Sequence, residues 1–411
     1  MSADTLVLRD CKLANGTEVD IRLEMGRVHS FSSRRADDAP VINLGGRLVL
    51  PALVDAHLHL DKTLLGLSWQ PHRAENTTLG RIEGEKALRR SLRPNVEQCG
   101  AALLSLALKN GTTAVRSHVD IDDLAGLENV TSVLKLREAW RDFIDIQLVA
   151  FPQSGIKRCP GVEELLNEAL AMGCDLIGGL DPVGVDGDLN GHLDVIFAIA
   201  ERRGVGVDIH LHDLGEQGVD EALAIAERTK VLGLSGRVTI SHAFCLGSVA
   251  IGLASKAAER LADADVTILT SAPGAAPMPP ITLLRKAGVR VVAGSDNIRD
   301  AWSPFGNASM LERCWLIAYR SGYRTDEEIV STFDLASANP ASLLGLERHL
   351  APGFSADLIA LPARTLAQAI VERPHPDLVL HHGRIVHGAS SLASELSRAI
   401  IHPMPSREYF I

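Results

Sequence analysis

Short apolar runs alternate with stretches of helical period along most of this chain. Leu48-Val49-Leu50-Pro51-Ala52-Leu53-Val54, preceded by Gly45-Gly46, is short and rich in leucine and valine, which predicts a buried strand. Seven further runs follow: Thr113–Arg116, Asp145–Phe151, Asp175–Ile177, Gly206–Ile209, Val238–Ile240, Val266–Ile268 and Val289–Ala293. Between them the apolar spacing lengthens. From Pro94 to Lys109, Val96, Leu103, Leu104, Ala107 and Leu108 mark one helical face, and Gly111 supplies a stop. Residues 162–172, 193–202, 219–231 and 253–261 repeat the theme. Eight strands alternating with helices over about 300 residues predict an α/β fold, a (β/α)8 TIM-like barrel. An open doubly wound sheet is the alternative, but no Gly-x-Gly-x-x-Gly follows a strand to favour it.

The two ends of the chain have another texture. Leu6-Val7-Leu8, Asp20–Leu23, Arg27–His29 and Val41–Asn43 read as short strands, separated by turn residues such as Asn15-Gly16 and Gly26. Asp357–Leu361, Leu378–Leu380 and the turn-strand His382–Val386 match them near the other end. Both ends are therefore expected to build one small β-sandwich domain, residues 1–50 with 350–411, around a barrel at 51–349. Within the barrel, residues 63–93 and the Pro/Ala-rich 271–280 are expected to form lids.

Composition narrows the class. Apolar residues make up 46% of 411 and charged residues 22%, the profile of a globular enzyme rather than a disordered chain. A formal net charge of -10 without a basic block argues against a nucleic-acid partner. The six cysteines form no Cys-x-x-Cys pair and read as buried thiols of a reducing compartment. No secretory signal or membrane-length apolar stretch is visible, so the expected location is the cytoplasm. Oligomeric state is open, with a homo-oligomer among the alternatives.

In such a barrel the chemistry sits just past the strand ends. The first strand leads to His57-Leu58-His59, whose imidazoles, two apart, project from one face and can grip a transition metal such as zinc or iron. A lone His-x-His arises easily by chance. The later exits decide the case: Ser117-His118-Val119-Asp120, Gln153 after strand three, His210-Leu211-His212-Asp213, Ser241-His242 and Ser295-Asp296-Asn297. Strand four ends at Gly178-Gly179-Leu180-Asp181, without a lysine. His118 and Asp120 are expected to fix a loop rather than touch substrate. Lys62 is expected to pair with a carboxylate such as Asp61, and the histidines of the chain-end domain to lie at the surface.

Pro51-Ala52-Leu53-Val54-Asp55-Ala56-His57-Leu58-His59, with a histidine after strand five, another after strand six and an aspartate after strand eight, resembles the amidohydrolase superfamily. His59-Leu60-Asp61-Lys62, Arg116–Asp120, Gln147–Gly155 and Ser295–Trp302 resemble its cytosine deaminase branch, and within it a triazine-degrading member. The resemblance covers nearly the whole chain. It implies a mononuclear site with His57, His59, His210 and Asp296 around one divalent ion, Zn2+ or Fe2+; the missing strand-four lysine fits this. His242 and Asp296 would be catalytic, and Gln153, Trp302 and Asn297 would meet the substrate, a small N-heterocycle losing ammonia or an alkylamine. Two departures bear on the substrate. Asp213 stands where cytosine deaminases carry a glutamate, and Asn297 where they carry a second aspartate. Asp213 and His212 are thus both candidates for the proton shuttle, with His212 favoured. A ring-amide hydrolase on the same site and a catalytically silent binding barrel are the alternative readings.

Overall fold

In the computed structural model, residues 5–32, 39–73, 75–388 and 392 are described. Eight parallel strands, Leu53–Leu58, Thr112–Asp120, Asp145–Phe151, Leu176–Leu180, Gly206–His210, Val238–Ser241, Thr267–Thr270 and Val291–Ala293, pair in chain order. An isolated parallel bridge between Leu58 and Asp296 ties the eighth strand's exit to the first strand, nearly closing the (β/α)8 barrel. The second strand runs four residues past the expected Arg116, paired with the third as far as Asp120 against Phe151. His118 and Asp120 interrupt its apolar pattern because they belong to the polar barrel interior.

The predicted run Leu48–Val54 divides between two sheets. Val41–Pro51 ends in the chain-end sheet, and Leu53–Leu58 opens the barrel. Ala52 is the hinge: its N–H bonds to Asp357 O, while the next N–H, of Leu53, bonds to Gly111 O. Seven chain-end strands form the separate sheet, in the order Arg384–Gly388, Leu378–His381, Leu358–Leu361, Val41–Pro51, Thr5–Lys12, Glu18–Glu24, Arg27–Ser32. Leu48–Pro51 pairs antiparallel with Leu358–Leu361, so both chain ends do share one sheet. Of the expected domain, residues 1–4, 33–38 and those after Gly388 other than Leu392 lie outside the described residues.

Alternation along these strands feeds two cores. Val49, Leu358, Ala360, Leu378 and Leu380 pack within the sheet's own cluster. Their neighbours Leu48, Leu50, Ile359, Leu361 and Val379 face the other way, into the barrel's cluster. Each leucine so buried contributes roughly 1.5–3 kcal/mol, which fixes the sheet to the barrel.

Helices follow their caps. Val96–Lys109 begins where the Asn95 side chain accepts from Gln98 N–H, two residues beyond the expected Pro94. It stops before Gly111, whose φ of +88° and close approach to Ile359 exclude a side chain. The segment 63–93 is not all loop, since Thr78–Leu92 is a helix that lays Glu85 and Arg89 beside the barrel mouth. No helix among the described residues is long and apolar enough to cross a membrane, and all six cysteines are buried and free.

Candidate active site

The site residues sit at the carboxyl ends of the barrel strands. His210 is the last residue of the fifth strand, and His242 and Asp296 follow the sixth and eighth. Asp181, His242 and Asp296 have φ of +36°, +74° and +62°, a region that costs a non-glycine residue energy. Each is held there by its own N–H, which bonds to the next strand: Asp181 to His210 O, His242 to Leu269 O, Asp296 to His57 O. The turn aims each side chain over the barrel mouth.

Asp296 Oδ1 lies 3.6 Å from His57 Nε2 and 3.5 Å from His59 Nε2, and Oδ2 lies 3.9 Å from His242 Nδ1. The expected ligand residues fall into two overlapping groups sharing His57: with His59 and Asp296, and with His210 and His242. His242 therefore stands as close to the centre as His210. The Nε2 of His57 and both ring nitrogens of His210 and His242 are buried without a hydrogen-bond partner. Buried polar atoms are normally satisfied, and a divalent cation is the partner that suits imidazoles around a carboxylate. The donor set fits a metal.

A relay fixes the tautomer of His57. Its Nδ1 lies 3.0 Å from Ser241 Oγ, and Ser241 donates its only proton to Asp208 Oδ1 at 2.7 Å. Ser241 Oγ must then accept from His57 Nδ1–H, which leaves a lone pair on Nε2 facing Asp296. Arg116, 1% exposed, holds the other Asp208 oxygen at 2.8 Å. Burial presses His59 down to about 3 and His210 and His242 well below the usual imidazole range, so these rings are neutral. Burial opposes ionisation of Asp296 too, but His242, His57 and His59 outweigh it and hold its carboxyl well below the usual range.

His212 and Asp213 part company. The strand ends at His210, so His212 is set not by the pleat but by Asp181, which accepts from its backbone N–H and lies 2.9 Å from its Nδ1. Burial disfavours the charged ring, yet Asp181 overcomes this and raises its pKa. The ring stacks on His242 at 4.7 Å. Asp213 instead accepts from Gly184 N–H at 2.8 Å and faces Glu221, whose carboxyl is pushed up to about 8 by burial and by Asp213. It does not line the inner pocket.

His59, Phe151, Gln153, His212, Asn297 and Trp302 line that pocket, which encloses about 10 Å3. Trp302 Nε1 donates to Glu85 at 2.6 Å, and Asn297 Nδ2 to Asp300 at 2.7 Å. Gln153 Nε2 donates to Glu85 and Asp120 at 2.9 and 3.0 Å, and its Oε1 accepts from Lys62. Lys62 pairs with a carboxylate, Asp120 at 2.9 Å, rather than with the neighbouring Asp61. On the far side of the 297–304 segment lies a cavity of about 470 Å3, with Trp69, Arg81, Arg299 and Asp300 in its wall.

Sequence reasoning missed Glu85, Asp181, and the Arg116–Asp208–Ser241 relay. One signal was available: Asp208, His210 and His212 are spaced by two, as are Arg116, His118 and Asp120, so polar residues recur on one face of otherwise apolar strands. His118 is fully buried against His57, ring centroids 4.1 Å apart. His381, expected at the surface, is also buried.

The whole chain has relatives of the same build. The amidohydrolase family model matches residues 40–387. The chain is 31% identical to N-isopropylammelide isopropyl amidohydrolase of Pseudomonas sp. (strain ADP), over 94% of this chain and 98% of that protein. The crystal structure of N-isopropylammelide isopropylaminohydrolase from Burkholderia multivorans ATCC 17616 superposes with a TM-score of 0.90 at 39% identity, covering 93% of this chain and 98% of that one. 5-Methylcytosine deaminase from Klebsiella pneumoniae, liganded with 5-fluorocytosine, shares the fold at a TM-score of 0.82 and 24% identity, covering 93% and 98%. With matches of this extent around such a constellation, the chain belongs to the amidohydrolase family.

Proposed function

We propose that this protein is a metal-dependent aminohydrolase that releases ammonia or an alkylamine from a six-membered N-heterocycle. His57, His59, His210 and Asp296 would hold one divalent ion, Zn2+ or Fe2+. Such an ion, when bound, supplies hydroxide near neutral pH by lowering the pKa of water from 15.7 toward about 7. The observation that carries the reading is the set of orphaned imidazole nitrogens gathered around His57 and Asp296.

The chain's own groups complete the chemistry. Asp296, ionised and facing three imidazoles, accepts the proton of the attacking water. His242 lies beside it and stabilises the negative oxygen that develops on the attacked carbon. His212, with Asp181 favouring its charged form, delivers a proton to the departing nitrogen. Trp302 offers its face to the ring. Gln153 has spent both N–H donors and one of two acceptor lone pairs, so it presents one acceptor to a ring N–H or O–H. Asn297 sits at the same wall. About 10 Å3 holds little more than one water, so Trp302 and its segment move when a ring enters. The relatives named for N-isopropylammelide favour an alkylamino-substituted ring over plain cytosine.

A panel of aminopyrimidines, aminotriazines and their N-alkyl forms, assayed for ammonia or amine, tests the reading. Turnover should vanish on chelation and return with zinc, iron or manganese. Full turnover by metal-free protein would sink it, and ring opening without amine release would replace it with the cyclic-amide reading.

A further inference from the structure

A second histidine cluster lies at the opposite end of the barrel, where the chain-end domain meets the start of the third barrel strand. His381 Nε2 and His382 Nε2 lie 3.9 and 3.8 Å from the same atom, Asp145 Oδ1. Neither distance is a hydrogen bond, and His381 Nε2 is buried without a partner.

The tautomers can be worked out from the donors. Asp357 receives His381 Nδ1 at 2.7 Å, Ser355 Oγ at 2.5 Å, His382 N–H at 3.3 Å and an Arg348 N–H, so it acts as a carboxylate that only accepts. His381 therefore carries its proton on Nδ1. Ser355 gives its only proton to Asp357, so its Oγ, 2.9 Å from His382 Nδ1, accepts from that nitrogen. Both Nε2 atoms are left with lone pairs, and both face a carboxylate oxygen. Arg348 occupies only the other oxygen, Asp145 Oδ2, at 2.8 Å.

Three acceptors face one another with no donor between them. We infer that Asp145, His381 and His382 form a second metal site, taking a borderline divalent ion of the zinc class with water as fourth ligand. Two imidazoles and one carboxylate, each imidazole backed through Nδ1 by a carboxylate or by a serine-carboxylate pair, suit that ion. Tetrahedral bonds of about 2.0–2.1 Å set ligands about 3.3 Å apart, so each imidazole nitrogen need close on Asp145 Oδ1 by only about half an ångström. His382 is half exposed and gives the ion a way in. Because Asp145 belongs to the barrel and the histidines to the chain-end sheet, the ion clamps one to the other.

Equilibrium dialysis against Zn2+ followed by elemental analysis should find one equivalent fewer in His382→Ala than in the wild type, with turnover unchanged. Asp145→Asn should lose the same equivalent. Added Zn2+ should raise the melting temperature of His57→Ala by a few degrees, and leave that of His57→Ala/His382→Ala unmoved. The difference between proteins with and without His382 reports this site whether or not the catalytic centre binds metal, so it stands or falls apart from the proposed function. Equal zinc content in wild type and His382→Ala would overturn it.

Discussion

At one end of the barrel His57 hands its Nδ1 proton to Ser241, which is bound to Asp208; at the other His382 does the same through Ser355 to Asp357. An arginine completes both relays, Arg116 on Asp208 and Arg348 on Asp357. The surroundings differ. His57, His59, His210 and His242 are at most 3% exposed, and three of them, His57, His59 and His242, face the ionised Asp296. At the lower cluster only His381 is buried, and an arginine already occupies half of Asp145. The same device would ready an imidazole for a metal in both places, but only the upper one lies beside a pocket. Ligand geometry alone does not make a catalytic site.

The comparison is broken most forcefully at His210. His210→Ala should lower turnover on the order of 1,000-fold or more and remove one equivalent of metal, while the equivalent assigned to His382 stays; elemental analysis beside steady-state kinetics checks both. The relays come next. Ser241→Ala releases the His57 tautomer and should cost about 10–100-fold in activity. Ser355→Ala should weaken zinc at the lower cluster by about tenfold with turnover intact, as isothermal titration would show. An effect of Ser355→Ala on turnover would mean that the two ends are coupled.

The smallest effect is a shift in pH dependence. Asp181 raises the pKa of His212 above the ordinary value of 6.5, so the protonated shuttle persists below that raised value and is lost as pH climbs through it. Asp181→Asn should move the alkaline limb of the rate profile to lower pH, and Asp213→Asn should move it the same way but by less, because Asp213 contributes less to the raised value than Asp181. By the same sign, the stability that the His212–Asp181 pair contributes is fully present below 6.5 and disappears as pH rises through the raised value.

Local pattern settled a good deal of this molecule. Strand runs bounded by turn residues, helical runs such as the one that Gly111 stops, and histidines at successive strand exits were enough to read the barrel, the shared chain-end sheet, and the gathering of His57, His59, His210, His242 and Asp296. Those features follow from backbone geometry repeating over a few residues, which a sequence displays directly. Others depend on how the closed barrel sets residues far apart in the chain side by side. Trp302 reaches Glu85 across 217 positions, and Gln153 reaches it across 68. Asp213 had the right spacing from His210 yet turned to Glu221, and Leu48–Val54 looked like one strand yet serves two sheets. His57 and His59 announced a metal site in the sequence. Which nitrogen His57 offers, and that His382 shares the device at the other end, was decided only by hydrogen bonds that the tertiary fold brings into reach.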